Sequence, residues 1–136
     1  MDKVEISKNK KDIDINIVAD YLSKESYWAK NRSQDVIERS IENSICYSVL
    51  LENNFIGFAR IITDKATFSY LCDVFVLKQF QGKGFGKQLL DYIINDDELK
   101  NTKIYLMTFD AHKFYEQYGF ESNEEIKTRI MRRVPK

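Results

Sequence analysis

Apolar residues fall in short blocks, and their spacing changes along the chain between helical and strand-like periods. Residues 4–6 open a first strand. Ile17, Val18, Tyr21 and Leu22 then share one helical face behind Asp12 or Asp14, either of which suits a helix cap. After the aromatic and basic loop Tyr27-Trp28-Ala29-Lys30-Asn31-Arg32, Ser33 is placed to cap a second helix carrying Val36, Ile37, Ser40 and Ile41. Runs 47–51 and 55–63 flank Asn53-Asn54, a pair that tolerates left-handed backbone, so a hairpin is expected there. Asp64-Lys65 turns the chain into a strand over 68–77, rich in aromatic and β-branched residues and interrupted by Asp73. Phe85, Leu89, Leu90, Ile93 and Ile94 then recur at helical spacing up to about Asn95-Asp96-Asp97. A fifth strand follows over 103–109, then a short helix over 111–118 closed by Gly119. In the tail, 127–136, Ile130, Met131 and Val134 alternate with basic residues, which reads as one or two last strands with a charged outer face.

Composition narrows the class. A chain of 136 residues has room for one domain with a real core and needs no disulfides. Twenty-one basic residues balance twenty-one acidic ones, so no net field draws nucleic acid or an anionic membrane. No uncharged stretch approaches the roughly 18 residues of a membrane span, and a cytoplasmic protein is expected. Cys46 and Cys72 sit inside predicted strands as packed, reduced thiols, and without a C-x-x-C pair no metal or redox site is expected.

The chemistry concentrates in Gln81-Gly82-Lys83-Gly84-Phe85-Gly86, which holds three of the five glycines between a strand and a helix. Glycine lets backbone N–H groups turn toward a ligand, and a helix start favours an anion such as a pyrophosphate. Lys83 and Lys87 add positive charge. A Walker A loop is excluded, because Gly86-Lys87 has Gln81 five residues before it and Gln88 after it. A dinucleotide fingerprint is excluded too, because position 87 is Lys where a third glycine is required.

The spacing that fits is Q/R-x-x-G-x-G/A, and in this the segment resembles the coenzyme A loop of the GNAT superfamily of N-acetyltransferases. Thr108-Phe109-Asp110-Ala111-His112-Lys113-Phe114-Tyr115-Glu116-Gln117-Tyr118-Gly119-Phe120 resembles that family's second signature, N-A-x-x-F-Y-x-x-x-G-F. Together the two motifs cover residues 70–120. The resemblance implies a single α/β domain over 1–136, with a mixed, mostly antiparallel sheet of six to seven strands and helices on both faces. It implies acetyl-CoA as the acyl donor, no metal, and direct transfer to a primary amine of a small molecule or peptide. A homodimer is compatible with it.

Site roles follow from the same resemblance. The loop 81–87 would hold the pyrophosphate, the backbone of Phe75 and Val76 would meet the pantetheine arm, and Tyr115 would stand near the coenzyme sulfur. Tyr115 also lies on a plain core stripe with Ala111, Phe114 and Tyr118, so packing is its alternative reading. Asp73 either binds the cationic amine and helps remove its proton, or is a carboxylate satisfied by Arg60, Arg32 or backbone N–H groups. Cys72 stands where some relatives carry a glutamate. Trp28, with Tyr27 and Arg32, would wall the acceptor side, or simply pack. Asp110 replaces the usual asparagine, as a pantetheine contact or a helix cap, and Gln81 and Lys78 replace the frequent Arg and Pro. His112 shares a helix face with Tyr115, as a proton relay or a solvated first-turn residue. Two other readings predict different behaviour: a catalytically silent acyl-CoA sensor or partner-binding module, and a nucleotide-binding protein that prefers ATP.

Overall fold

The computed structural model describes residues 2–135, so Met1 and Lys136, the two ends of the expected domain and tail, lie outside the described residues. Its elements are β1 (Glu5–Ser7), α1 (Ile15–Asp20), α2 (Gln34–Glu42), β2 (Ile45–Leu51), β3 (Asn54–Thr63), β4 (Phe68–Val76), α3 (Phe85–Ile94), β5 (Lys103–Leu106), α4 (His112–Glu116) and α5 (Glu124–Arg129). The strands form one sheet in the order β1-β2-β3-β4-β5. The first three pairings are antiparallel and β4–β5 is parallel, joined through the crossover helix α3.

Local chemistry explains the breaks between elements. Asp14 caps α1 by accepting from the Ile17 amide, and Ser33 caps α2 by accepting from Val36. The β2–β3 turn uses Glu52 and Asn53, both at positive φ (51° and 68°), the backbone that closes a tight hairpin. It lies one residue earlier than the Asn53-Asn54 pair suggests, because Asn54 already pairs with Leu51. Past α1 the chain continues as a wider π turn, Tyr21–Glu25, which stacks Tyr21 on Phe75 at 4.1 Å between ring centres.

Each sheet face carries its own apolar cluster. Tyr47, Val49, Ile61 and Leu71 pack with Phe85, Leu89, Leu90 and Ile93 of α3, while Phe58 and Phe75 pack with Val18, Leu22, Ile37 and Ile41 of the α1–α2 side. Gly57 on β3 is where two strands leave no room: a Cβ there would lie 2.9 Å from the Phe75 carbonyl oxygen and 3.1 Å from Val49. Gly57→Ala is expected to destabilise the fold by about 1–3 kcal/mol, read from the urea midpoint.

The sheet has five strands among the described residues, not the six to seven expected. The tail is the reason. Asn123 accepts from the Ile126 amide, Glu124 and Glu125 occupy the first turn of α5, and Arg129 pairs back to Glu125 at 2.8 Å, all of which favours a helix. Beyond it Ile130, Met131 and Val134 stay exposed, Met131 at 96%, so their alternation marks no buried strand face. The fifth strand also stops early, at Leu106.

A part-buried polar network around Asp96 ties β2 to the end of α3. Asp96 accepts from the Tyr47 hydroxyl at 2.7 Å and the Glu98 amide at 3.0 Å, and pairs with Lys8 at 2.8 Å. Burial works against its charge, but these partners outweigh it and hold the carboxyl below its ordinary 3.8. Burial likewise opposes the Lys8 charge, and its bonds to Asp96 and Glu98 still raise it above 10.5. A lowered carboxylate stabilises above its unfolded value and loses that as pH falls through the folded one; a raised lysine stabilises below its unfolded value. The network is therefore intact between them, and stability falls below pH 3.8. Asp96→Asn is expected to lower neutral-pH stability by about 1–2 kcal/mol and flatten the acid limb of a Tm-against-pH plot.

Candidate active site

The site begins with a fault in the sheet. Arg60 pairs with Cys72 and Phe58 with Phe75, so Asp73 and Val74 together face Ala59 across the β3–β4 ladder. This is a β-bulge, and Asp73 within it takes left-handed backbone, at φ 54°. On the other side of β4, pairing with β5 ends at Leu71 and Leu106, while β4 itself runs on to Val76. The two parallel strands thus diverge at the bulge and leave one edge of residues 72–76 open. Leu77 donates to Ile56 at 2.8 Å and the Phe75 carbonyl lies against Gly57, so strand alternation turns Val76 to the open edge and Phe75 toward β3.

Asp73 is engaged through both carboxylate oxygens. Trp28 Nε1 donates to its Oδ1 at 2.9 Å, and Arg32 and Arg60 Nε donate to Oδ2 at 3.0 and 2.9 Å. Arg60 also donates to Ser44 Oγ at 3.0 Å. With 1% of the side chain exposed, the carboxylate is a hub for two guanidinium groups and an indole. Arg32 and Trp28, from the loop before α2, are the members that reach solvent. The structure therefore brings Trp28 and Asp73 together, and gives Asp73 the partners that the satisfied-carboxylate reading names.

At the far end of β4 a short 3-10 turn, Lys78–Phe80, leads into the glycine segment. Gln81 Nε2 donates to the Val76 carbonyl at 2.8 Å and fastens the loop to the strand. Gly82 and Gly84 sit at φ 77° and 85°, and Gly84 is the α3 N-cap. The first bond into the helix is Gln88 N–H to Gly84 O at 3.1 Å, and the amides of residues 84–87 find no acceptor among the described residues. A Cβ on Gly82 would point into open space. Lys83 and Lys87 flank these donors, both exposed. A fan of amides at the start of a ten-residue helix, with two cations beside it, fits a diphosphate.

Tyr115 lies on α4. A Cβ on Gly86 would sit 3.6 Å from the Phe114 ring, so α4 abuts the first turn of α3. Tyr115 meets Phe114 and Phe120 edge-on at 5.1 and 5.8 Å, as a packing residue would. Its hydroxyl nevertheless has no hydrogen-bond partner among the described residues. Burial, with a smaller contribution from Tyr27, pushes the phenol up to about 12, so it stays a proton donor throughout the physiological range. The Tyr118 hydroxyl is buried and also without a partner among the described residues.

Asp110 is exposed and does not cap α4: the N-cap is Ala111, whose amide donates to Thr108 Oγ1 at 3.0 Å. His112 is exposed in the first turn. One residue gave no signal in the sequence: Tyr21, which covers Phe75 beside Gln81, looked like an ordinary member of an apolar face. Tyr27, expected with Trp28 on the acceptor side, accepts from the Phe109 amide at 3.0 Å, which holds the chain leaving β5 against the Trp28 loop. Cys46 and Cys72 are free, and burial pushes their thiols up to about 11 and about 12. No helix among the described residues is long and apolar enough to cross a membrane.

Known proteins place this architecture. The model of the acetyltransferase (GNAT) domain matches residues 42–122, which span both the bulge and the glycine turn. A crystal structure of a protein belonging to the GNAT family from Xanthomonas campestris pv. campestris is 34% identical, covers 99% of this chain and 96% of its own, and superposes with a TM-score of 0.93. The chain belongs to the GNAT acetyltransferase family. A protein of Gibberella zeae named as an acetyltransferase is 25% identical over 122 residues, covering 73% of this chain and 68% of its own length. The GNAT fold of an Elizabethkingia anophelis acetyltransferase solved with acetyl-CoA bound is shared at a TM-score of 0.68 and 22% identity, over 91% of this chain and 80% of that one.

Proposed function

We propose that this chain moves an acetyl group from acetyl-CoA directly to a primary amine of a small molecule or peptide. The observation that carries the reading is the pairing of unused amides at 84–87 with the open edge of β4, two features joined by one short turn. The amides and Lys83 and Lys87 hold the diphosphate, and Val76 offers its N–H at the open edge, its carbonyl being held by Gln81. Bound there, acetyl-CoA supplies a thioester, whose carbon the amine attacks as the C–S bond breaks. Tyr115 gives its hydroxyl proton to the departing sulfur and regains one from solvent. The amine loses its proton to water, because the Asp73 carboxylate is 1% exposed and held by two guanidinium groups; Asp73 acts as a positioning residue that fixes Trp28 and Arg32.

The test is thiol release from acetyl-CoA against a broad amine panel. Tyr115→Phe is expected to lower kcat on the order of a hundredfold while leaving the acetyl-CoA Kd within about twofold. One observation favours a second reading: Asp73, the carboxylate expected to take the proton of the amine, is buried and held by two arginines, as suits a silent acyl-CoA sensor. That reading prevails if the wild type binds acetyl-CoA and no amine releases thiol.

A further inference from the structure

We infer that Arg32 is the recognition group for an anion on the acceptor, so that the amine acetylated here carries a carboxylate, as an amino acid does. The inference rests on the acetyl-transfer reading above and names its substrate class.

Charge at the bulge does not balance. Two guanidinium groups share the single Asp73 carboxylate, which leaves one positive charge in excess beside the open strand edge. Arg60 is the interior member, 9% exposed, with Nε on Asp73 and NH1 on Ser44. Arg32 is the outer one. Its side chain is 24% exposed, one N–H is spent on Asp73, and its other N–H groups have no acceptor among the described residues. A guanidinium held on one side by a buried carboxylate, with the rest of its donor fork unspent, is prepared to take a second carboxylate through paired N–H bonds.

The neighbours favour the same ligand. Trp28 is fixed by its own N–H to Asp73 Oδ1 and still shows 40% of its surface, with Tyr27 edge-on at 5.2 Å. An aromatic wall stands beside the cation, so an organic acid gains apolar contact along with the ion pair. A simple diamine would instead bring positive charge to a cluster that already has a surplus, and like charges meeting in a part-buried site are costly. The site is separate from the proposed diphosphate cradle, whose donors are the backbone amides of residues 84–87.

The experiment uses matched triplets: an amino acid, its amide and the amine left when the carboxylate is removed, such as phenylalanine, phenylalaninamide and phenethylamine. Thiol release gives kcat/KM for each, and calorimetry on the protein saturated with coenzyme A gives the affinity for each. Across triplets built on several side chains, acids are expected to exceed their amides and decarboxylated partners by about tenfold or more in kcat/KM, through KM. In Arg32→Gln that ratio collapses toward one, with the acetyl-CoA Kd unchanged. In Arg32→Lys, which keeps the charge on Asp73 but loses the fork, it falls to an intermediate value. The proposal is overturned if amides or decarboxylated amines are equal or preferred, or if Arg32→Gln keeps the preference. If no amine releases thiol yet carboxylates bind and Arg32→Gln abolishes that binding, the anion site stands and the transferase reading fails instead. If carboxylates neither bind nor react better, the anion site fails alone.

Discussion

Asp73→Ala is expected to cost the fold about 3–5 kcal/mol, the penalty for leaving a buried charge without its partner. Arg60 would stay in the sheet, 9% exposed, with only Ser44 to satisfy it. Trp28 would lose the acceptor of its indole N–H, and the loop before α2 would lose the bond from Arg32 to β4. The left-handed backbone at φ 54° adds roughly 1 kcal/mol, since alanine tolerates it less well than aspartate. Asp73→Asn separates these contributions: it accepts the same backbone and the Trp28 bond but removes the negative charge, so it is expected to lie between wild type and alanine. Arg60→Met in the Asp73→Ala background should recover part of the loss, because a buried ion pair replaced as a unit costs less than one broken in half. Urea unfolding of the four proteins measures all of this. A loss below about 1 kcal/mol for Asp73→Ala would mean that water, and not Asp73, satisfies the arginines.

That network shows where reading the chain alone succeeds and stops. Asp73 is visible because it interrupts a run of apolar residues, and Arg60 and Arg32 are its natural partners on charge grounds. The bulge is not visible, because it is a two-against-one mismatch between β3 and β4, and register between strands leaves no trace within either. The glycine turn is legible for the opposite reason: a left-handed N-cap at Gly84 is a local backbone demand that glycine meets directly. The tail misled because Ile130, Met131 and Val134 alternate with arginines as a half-buried strand would. The stronger signals lay just upstream, in Asn123 followed by two glutamates and then Lys127 and Arg129, an order that matches a helix with its dipole. Tyr21 illustrates a further gap: its stacking on Phe75 depends on a π turn, which the helical period of its neighbours does not encode.

Gly84→Ala is expected to weaken acetyl-CoA binding on the order of a hundredfold while the protein stays folded. The residue sits at φ 85°, where a Cβ costs about 1–2 kcal/mol. The loop can relieve that strain only by rotating the peptides on either side, and those peptides carry the amides proposed to meet the diphosphate. Misaligning two hydrogen bonds to a charged group costs about 2–3 kcal/mol of affinity, which is the hundredfold loss. Gly82→Ala serves as the comparison. Its φ of 77° carries similar strain, but its Cβ would meet nothing within 4 Å, so the added methyl acts only through backbone strain or on an arriving ligand. Calorimetry with acetyl-CoA and, separately, ATP on all three proteins tells which anion the turn is built for. Acetyl-CoA is expected to bind the wild type more tightly because the open edge of β4 beyond Leu71 adds contacts for the arm attached to its diphosphate, whereas ATP has nothing to lay along that edge. Tighter binding of ATP, or acetyl-CoA affinity untouched by Gly84→Ala, would remove the glycine turn from the acyl-donor site.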